Sequence, residues 1–428
     1  MNRVFVLDDR KVPLMPCEPA RARRLLASGK AAVYRRVPLT IILNYVVEPD
    51  NQPIEFKADP GSKTTGLALV GQFPRGNEVL WAANLSHRGQ AIKDNLASRL
   101  SLRRGRRARN TRYRAPRFLN RTRAAGWLPP SLQSRVDNVS SWLQKLCFRA
   151  PVSECHIETV RFDMQKIVNP EISGIDYQRG ELMGFEVREY LLEKWGRKCA
   201  YCDAKDTALE IEHIQPRSRG GSDRVSNLTI ACHCCNQAKN NMSVEQFVGD
   251  KARLAKILKY AKAPLKDAAA VNATRYAIGN AVKAFGLPTS FWTGGRTKFN
   301  RSQQSYKKDH YIDAACIGET GASVAIPETT KPLLIKATGR GTHQTVRTDK
   351  YGFPRNKAGR VKRVFGFQTG DLVRLEQPKG KYAGTHIGRL AGIRADGRLD
   401  IATLNGKVTA SFKNFTLIQK GDGYAYAN

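Results

Sequence analysis

Cys199 and Cys202 form one C-x2-C knuckle, and Cys232 and Cys235 form another. Two such knuckles are the usual pattern of a tetrahedral structural zinc site, which draws four distant backbone positions to one point. The spacer is longer than in a simple zinc ribbon, so a folded element lies between them. His233 and Cys234 stand inside the second knuckle and leave the ligand set open, although the spacing favours Cys232 and Cys235. Four buried thiols without a metal are the plain alternative. The remaining cysteines, Cys17, Cys147, Cys155 and Cys316, are scattered and read as small buried hydrophobes.

The spacer carries residues suited to chemistry. Glu212-His213 ends the strand-like run LEIEHI, the loop PRSRGGSDRVSN follows, and Asn236 opens a helix after the second knuckle. A strand, a loop and a helix can bring these side chains to one cation. Phosphodiester hydrolysis needs such a cation and a base that accepts a proton from water. Histidine suits the base role because its unperturbed pKa lies near neutrality. A zinc ribbon that only binds would not require Glu212, His213 and Asn236 together.

A second acidic set is dispersed. Asp59 ends the strand-like IEFKADP, Glu158 ends ECHIET, and Asp313 lies in the helical KKDHYIDAACIGE with His310 one turn earlier on the same face. Acids at the ends of neighbouring strands and on a facing helix can hold two cations about 4 Å apart, clamping the attacking and leaving oxygens. Small residues after Asp59 would let a phosphate backbone approach. Any one of these acids alone reads as a solvated carboxylate.

Charge identifies the partner class. The net charge of +35 makes a compact body repel itself, and a polyanion is the simplest remedy. An anionic membrane is the weaker alternative, since no amphipathic anchor stands out and no apolar run approaches a bilayer span. Residues 88–123 hold thirteen Lys and Arg against one acid. Arg99, Arg103, Arg106 and Arg107 are spread around a helix, which could lie between phosphate backbones. A solvated basic linker is the alternative. The N-terminus, MNRVFVLDDRKVPLMP, is broken by charges before any signal-peptide core, so a cytoplasmic protein is expected.

Coarse patterning predicts a small α/β unit over residues 1–48, with strands at RVFVLD and VPLTIILNYVV and a helix at EPARARRLLASGKA. Three strands at 54–87 form an antiparallel meander. Helices are expected at 131–147, at 180–196, from about Ser243, and around 307–320. Residues 337–363 are basic and poor in apolar side chains. Asp396-Gly397 and Asn405-Gly406 mark hairpins of a terminal β-barrel or sheet.

The ordered motifs C-x2-C, E-H-I-x-P, G-G-S-D, S-N-L and C-x2-C-N-x-x-K resemble the HNH (ββα-metal) nucleases. That likeness implies His213 as general base, Glu212 and Asn236 as magnesium ligands, and Asn227 as the residue orienting the loop and His213. D-P-G-x-K-x-x-G, I-E-x and H-x-x-D-A resemble the three split segments of a RuvC nuclease. It implies Asp59, Glu158 and Asp313 as magnesium ligands, with His310 supporting the metal or activating water. An arginine-rich helix after the first RuvC segment and an HNH before the last, together with Pro13-Leu14-Met15-Pro16, resemble the IscB family of transposon-encoded RNA-guided DNA endonucleases.

The family implies a mixed α/β (α+β) multidomain chain: an RNase H-like RuvC core, an inserted HNH module, an arginine-rich bridge helix and a small C-terminal β domain. The expected boundaries are a PLMP-type domain at 1–50, RuvC segments at 51–87, 126–190 and 246–328, a bridge helix at 88–125, HNH at 191–245 and the β domain at 329–428. Arg99, Arg103, Arg104, Arg106, Arg107, Arg109 and Arg112 would bind guide RNA (the omega RNA), and the β domain would read a motif flanking the target. The implied cofactors are Mg2+, with Mn2+ as a substitute, structural Zn2+ and guide RNA. The partners are a structured RNA and double-stranded DNA, bound by a monomeric, prokaryotic protein acting at the nucleoid. HNH would cut the guide-paired strand and RuvC the displaced one, with base pairing choosing the sequence. A protein-only resolvase or homing nuclease is the first alternative, and a non-catalytic basic protein the second. No large helical recognition lobe is present in the sequence.

Overall fold

The computed structural model describes residues 2–107, 127–159, 188, 191–192, 194–205, 207–223, 225–262, 268–339, 346, 349–350, 353–355, 363–394, 396–403 and 406–427. It is a mixed α/β structure with several sheets. Two compact units emerge: Met1–Glu158 with Ala277–Trp292 and Arg296–Asn428, and Thr159–Tyr276 with Thr293–Gly295.

The first unit opens with β1 (Val4–Leu7), β2 (Pro13–Cys17), α1 (Pro19–Ala27), β3 (Ala31–Arg35) and β4 (Thr40–Leu43), in the sheet order β2-β1-β4-β3. Pro19 starts α1, where its missing N–H costs no helical bond. The two expected strands and the helix are present, and β2 and β3 are additional.

The larger sheet begins with the meander β5 (Ile54–Pro60), β6 (Thr64–Phe73) and β7 (Gly76–Ser86). After α2 (Gly89–Arg107) and α3 (Pro130–Cys147), β8 (Val152–Glu158) returns parallel to β5. A parallel return needs a long crossover, which α3 helps supply. Its apolar stripe, Val136, Val139, Leu143 and Leu146, packs against Ile54, Phe56, Ala58, Leu67 and Leu69. Trp142 stacks on Trp81 with ring centroids 5.8 Å apart. Side chains alternate along a strand, so burying Ile54, Phe56 and Ala58 here turns Glu55, Lys57 and Asp59 to the opposite face.

In sequence, the second unit then intervenes. It contains β9 (Leu209–His213) antiparallel to β10 (Leu228–Cys232), followed by α4 (His233–Lys239), α5 (Val244–Phe247) and α6 (Lys251–Lys262). Its core includes Leu192, Trp195, Tyr201, Ile230, Val244 and Ile257. The expected helix at 180–196 lies largely outside the described residues.

Following α7 (Ala268–Lys283), β11 (Thr289–Trp292) joins the larger sheet parallel to β8. Next come α8 (Gly294–Gln303) and α9 (His310–Ala315), which is shorter than the helix expected at 307–320. Gly318 adopts a positive φ of 81°, which a continuing helix cannot accommodate. β12 (Val324–Ala325) and β13 (Leu333–Ala337) both pair with β7. The terminal sheet is antiparallel, ordered β17-β16-β15-β14-β18, from β14 (Leu372–Gln377), β15 (Gly384–Ile393), β16 (Arg398–Thr403), β17 (Gly406–Ser411) and β18 (Phe415–Gln419). Its hairpins fall at the expected Gly397 and Gly406. Lastly β19 (Tyr424–Ala427) pairs with β13, so both ends of the segment expected at 329–428 belong to the larger sheet. Among the described residues, no helix is long and apolar enough to cross a membrane.

His87 ties this core together, with Nε2 2.7 Å from the Thr65 hydroxyl and Nδ1 3.1 Å from Asn138 Nδ2. The amide nitrogen of Asn138 can only donate, so Nδ1 accepts and the ring is neutral. Burial, and then the charge of Arg135, lowers its pKa to about 3. The folded state therefore binds fewer protons than the unfolded chain between pH 6.5 and about 3, and stability falls as pH drops through that window. A His87→Gln variant is expected to show a shallower loss of melting temperature across the same window; equal slopes would contradict this account.

Candidate active sites

The parallel register pairs Glu55 with Glu154, Lys57 with His156 and Ala58 with Ile157. Continued by one residue, it brings Asp59 beside Glu158 at the C-terminal ends of β5 and β8. The helix α9 faces this end of the sheet: His310 Nδ1 lies 3.9 Å from Asp59 Oδ2, and the buried Asp313 is paired with Arg301 of α8. A Cβ on Gly66 of β6 would stand 1.8 Å from the His310 carbonyl oxygen. Glycine there admits the first turn of α9, a different role from the phosphate approach expected of the small residues after Asp59.

Charge couples these groups. Burial, then the charge of Asp59, raises the pKa of Asp313, while Arg301 opposes the rise. The neighbouring Asp59 carboxylate raises that of His310. An acid whose pKa is raised by a neighbouring carboxylate is relieved by a cation between the two. Among the described residues, Asp59, Glu158 and Asp313 do not form a group with all ligand atoms within 4.8 Å of one another.

Sequence reasoning missed Lys57. It is fully buried, and Nζ donates to the carbonyls of Ala315 (3.3 Å) and Ile317 (2.6 Å) and to Thr320 Oγ1 (2.6 Å). Glu55 Oε2, 3.1 Å away, neutralises it. The ammonium thus fastens the C-terminal end of the helix that carries His310 and Asp313 to the strand that carries Asp59. An unexplained lysine in an apolar strand pattern was the available signal.

In the second unit, the ligand atoms of Cys199, Cys202, Cys232 and Cys235 all lie within 4.8 Å of one another, a set that could hold a metal ion. Cys234 is exposed, and His233 Nδ1 instead meets Glu210 Oε1 at 3.0 Å. His213 ends β9, with Nε2 2.7 Å from Asp223 Oδ1; Arg217 holds the same carboxylate through two hydrogen bonds. The bond from His213, then that from Arg217, lowers the pKa of Asp223. Asn227 staples the loop: its Oδ1 accepts from the Gln215 N–H, and its Nδ2 donates to the Gln215 and Ser222 carbonyls, each at 2.9 Å.

Glu212 and Asn236 do not meet. Glu212 Oε1 accepts from the fully buried Lys239 Nζ at 2.7 Å, whereas Asn236 Nδ2 donates to Glu210 Oε2 at 2.6 Å. The physical reason is geometric: Glu210 and Glu212 share one face of β9, and Asn236 and Lys239, three apart, share one face of α4. Period-2 alternation could have flagged Glu210 as well as Glu212.

From Lys93 to Gly105, α2 is exposed on every face, including Arg99, Arg103 and Arg104. Arg106 and Arg107 end the helix. Arg109 and Arg112 lie outside the described residues.

A family model described as RRXRR protein matches residues 4–180, and one described as HNH endonuclease matches residues 199–242. The matches fit an IscB-like RuvC and HNH nuclease. No curated protein matches the chain. The type II-C Cas9 enzyme of Actinomyces naeslundii is similar at 16% identity, covering 49% of this chain and 29% of that one at a TM-score of 0.17. Streptococcus thermophilus Cas9 in complex with the GGAA PAM is similar at 13% identity, covering 65% of this chain and 33% of that one at a TM-score of 0.21. The IscB-like chain thus spans at most about a third of the length of these proteins, and likeness this distant carries no weight for mechanism.

Removing one partner of a buried ion pair costs about 3–5 kcal/mol, because the other charge stays buried. Glu212→Ala is therefore expected to destabilise the second unit by about that amount in urea unfolding. Glu210→Gln, at an exposed carboxylate, should change stability by less than about 1 kcal/mol. The reverse ranking would mean that Glu210, not Glu212, carries the buried ion pair.

Proposed function

We propose that the protein is a magnesium-dependent DNA endonuclease with two centres, directed to its target by a bound RNA. The observation that carries the reading is that each unit holds its own acid–histidine set: Asp59 with His310, beside Glu158 and Asp313, in one, and His213 with Asp223, on the strand whose Glu210 meets Asn236, in the other. Two different centres in one chain suit the two strands of a duplex.

In the second unit, Asp223 holds Nε2 of His213, which leaves Nδ1 to accept the proton of the attacking water. The resulting imidazolium would be stabilised by the Asp223 carboxylate. Asn227 keeps the loop in place, Glu210 and Asn236 would hold the cation, and Glu212, the ligand that the motif implies, stays paired with Lys239. In the first unit, Asp59, Glu158 and Asp313 would hold the cations and His310 would orient water. Magnesium, when bound, neutralises the phosphate and the departing oxygen. The four thiols would hold zinc and fix β10 and α4 as one piece.

RNA guidance is supported by α2, whose arginines surround a helix with no buried face over Lys93 to Gly105. Such a helix gains stability from phosphate on several sides. On this reading the second unit cuts the guide-paired strand and the first cuts the displaced one.

Magnesium-dependent cleavage of a matched duplex tests it. Asp59→Ala is expected to leave a nick in the guide-paired strand, and His213→Ala or Glu210→Gln a nick in the other. Either single change abolishing both cuts in a folded protein would overturn the two-centre assignment. Full cutting by protein stripped of RNA would instead favour a protein-only nuclease.

A further inference from the structure

Behind Asp59 and Glu158, on the same face of β5 and β8, lies a polar layer that neither centre uses. Glu55, Glu154 and His156 place their ligand atoms within 4.8 Å of one another. His156 Nε2 is 3.5 Å from Glu55 Oε1 and 3.5 Å from Glu154 Oε2. A hydrogen bond from a ring nitrogen would be about 2.7–3.2 Å. Among the described residues, Nε2 has no hydrogen-bond partner although the residue is only 8% exposed. Oxygen and nitrogen ligands about 2.0–2.2 Å from a tetrahedral ion lie roughly 3.4 Å from each other. Both gaps therefore fit edges of a coordination polyhedron better than hydrogen bonds.

The surroundings are those of ligands held in place. Gln72 Nε2 donates to Glu55 Oε1 at 2.7 Å and to Glu154 Oε1 at 3.2 Å. Ser290 Oγ lies 2.6 Å from the other His156 nitrogen, Nδ1, and 2.7 Å from Trp292 Nε1, whose single hydrogen goes to this oxygen rather than to Nδ1 at 3.1 Å; with Nδ1–H also donating to Ser290 Oγ, the ring presents a bare Nε2. Such outer contacts fix the ring and leave Nε2 aimed at the two carboxylates. Lys57 does not fill the gap: it sits on the far oxygen of Glu55, held by the end of α9. Among the described residues, two carboxylates against one lysine leave a negative charge in a mostly dry layer, which is costly without a cation. Glu154, with a side chain 35% exposed, provides the way in from solvent.

We propose that Glu55, Glu154 and His156 bind a divalent transition ion of the zinc class, clamping β5 to β8 behind the acidic centre. One imidazole nitrogen with carboxylate oxygens suits such an ion and disfavours magnesium. The site stands independently of the nuclease reading.

The test is a metal count on the full-length protein, stripped with a chelator and then equilibrated with zinc in excess magnesium, which occupies all-oxygen sites. His156→Ala and the conservative, solvent-edge Glu154→Gln are each expected to bind one zinc fewer than the parent. Asp59→Asn should bind the parental number, and Cys202→Ser should retain the zinc that Glu154→Gln loses. Loaded with cobalt, the Cys202→Ser protein should show a ligand-field band that disappears on adding Glu154→Gln. An unchanged count in a folded Glu154→Gln protein would overturn the proposal, as would a zinc lost equally from Asp59→Asn.

Discussion

The parallel pairing of β5 with β8 governs the first unit. It sets two rows of side chains at once, because neighbours along a strand face opposite ways. Ile54, Phe56 and Ala58 meet α3 and the Trp81–Trp142 stack on one face. Glu55, Lys57 and Asp59 meet Glu154, His156 and Glu158 on the other. Slipping this register by one residue would bury the acids against Trp142 and expose the apolar row. The hydrophobic packing on one face is therefore what keeps the carboxylates of the other in line.

That polar face is closed by α9, and the closure depends on two close approaches. Gly66 leaves room for the His310 carbonyl, and Lys57 gathers the carbonyls of Ala315 and Ile317. A buried ammonium is costly unless every donor is used and its charge is matched. Lys57 meets both conditions through Thr320 and Glu55. The same logic recurs at Lys239, which joins Glu212 to the His213 carbonyl. Each unit thus uses one buried lysine to lock a strand that carries candidate catalytic residues to a neighbouring helix.

The second unit draws its local order from short-range geometry. The four cysteines bracket β9, the loop and β10. Asn227 closes the loop on itself, so His213 projects from a fixed strand end rather than a free one. The spacing of Asn236 and Lys239 on α4 then selects which acid of β9 each one meets.

Dense local motifs were legible in the sequence because their residues are close along the chain: the two cysteine knuckles, the loop that Asn227 closes, the antiparallel meander and the hairpins at Gly397 and Gly406. The order of Asp59, Glu158 and Asp313 was legible too. What the sequence did not contain was which side chains meet across elements. Glu210 with Asn236, Lys57 with the end of α9, the return of β19 to β13, and the cluster at His156 all join residues brought together only by sheet register and helix placement. Composition and spacing thus determined the kinds of chemistry this chain can hold. Tertiary packing decided which acid faces which partner, because a strand offers alternate residues to opposite faces and only burial of the apolar row chooses between them.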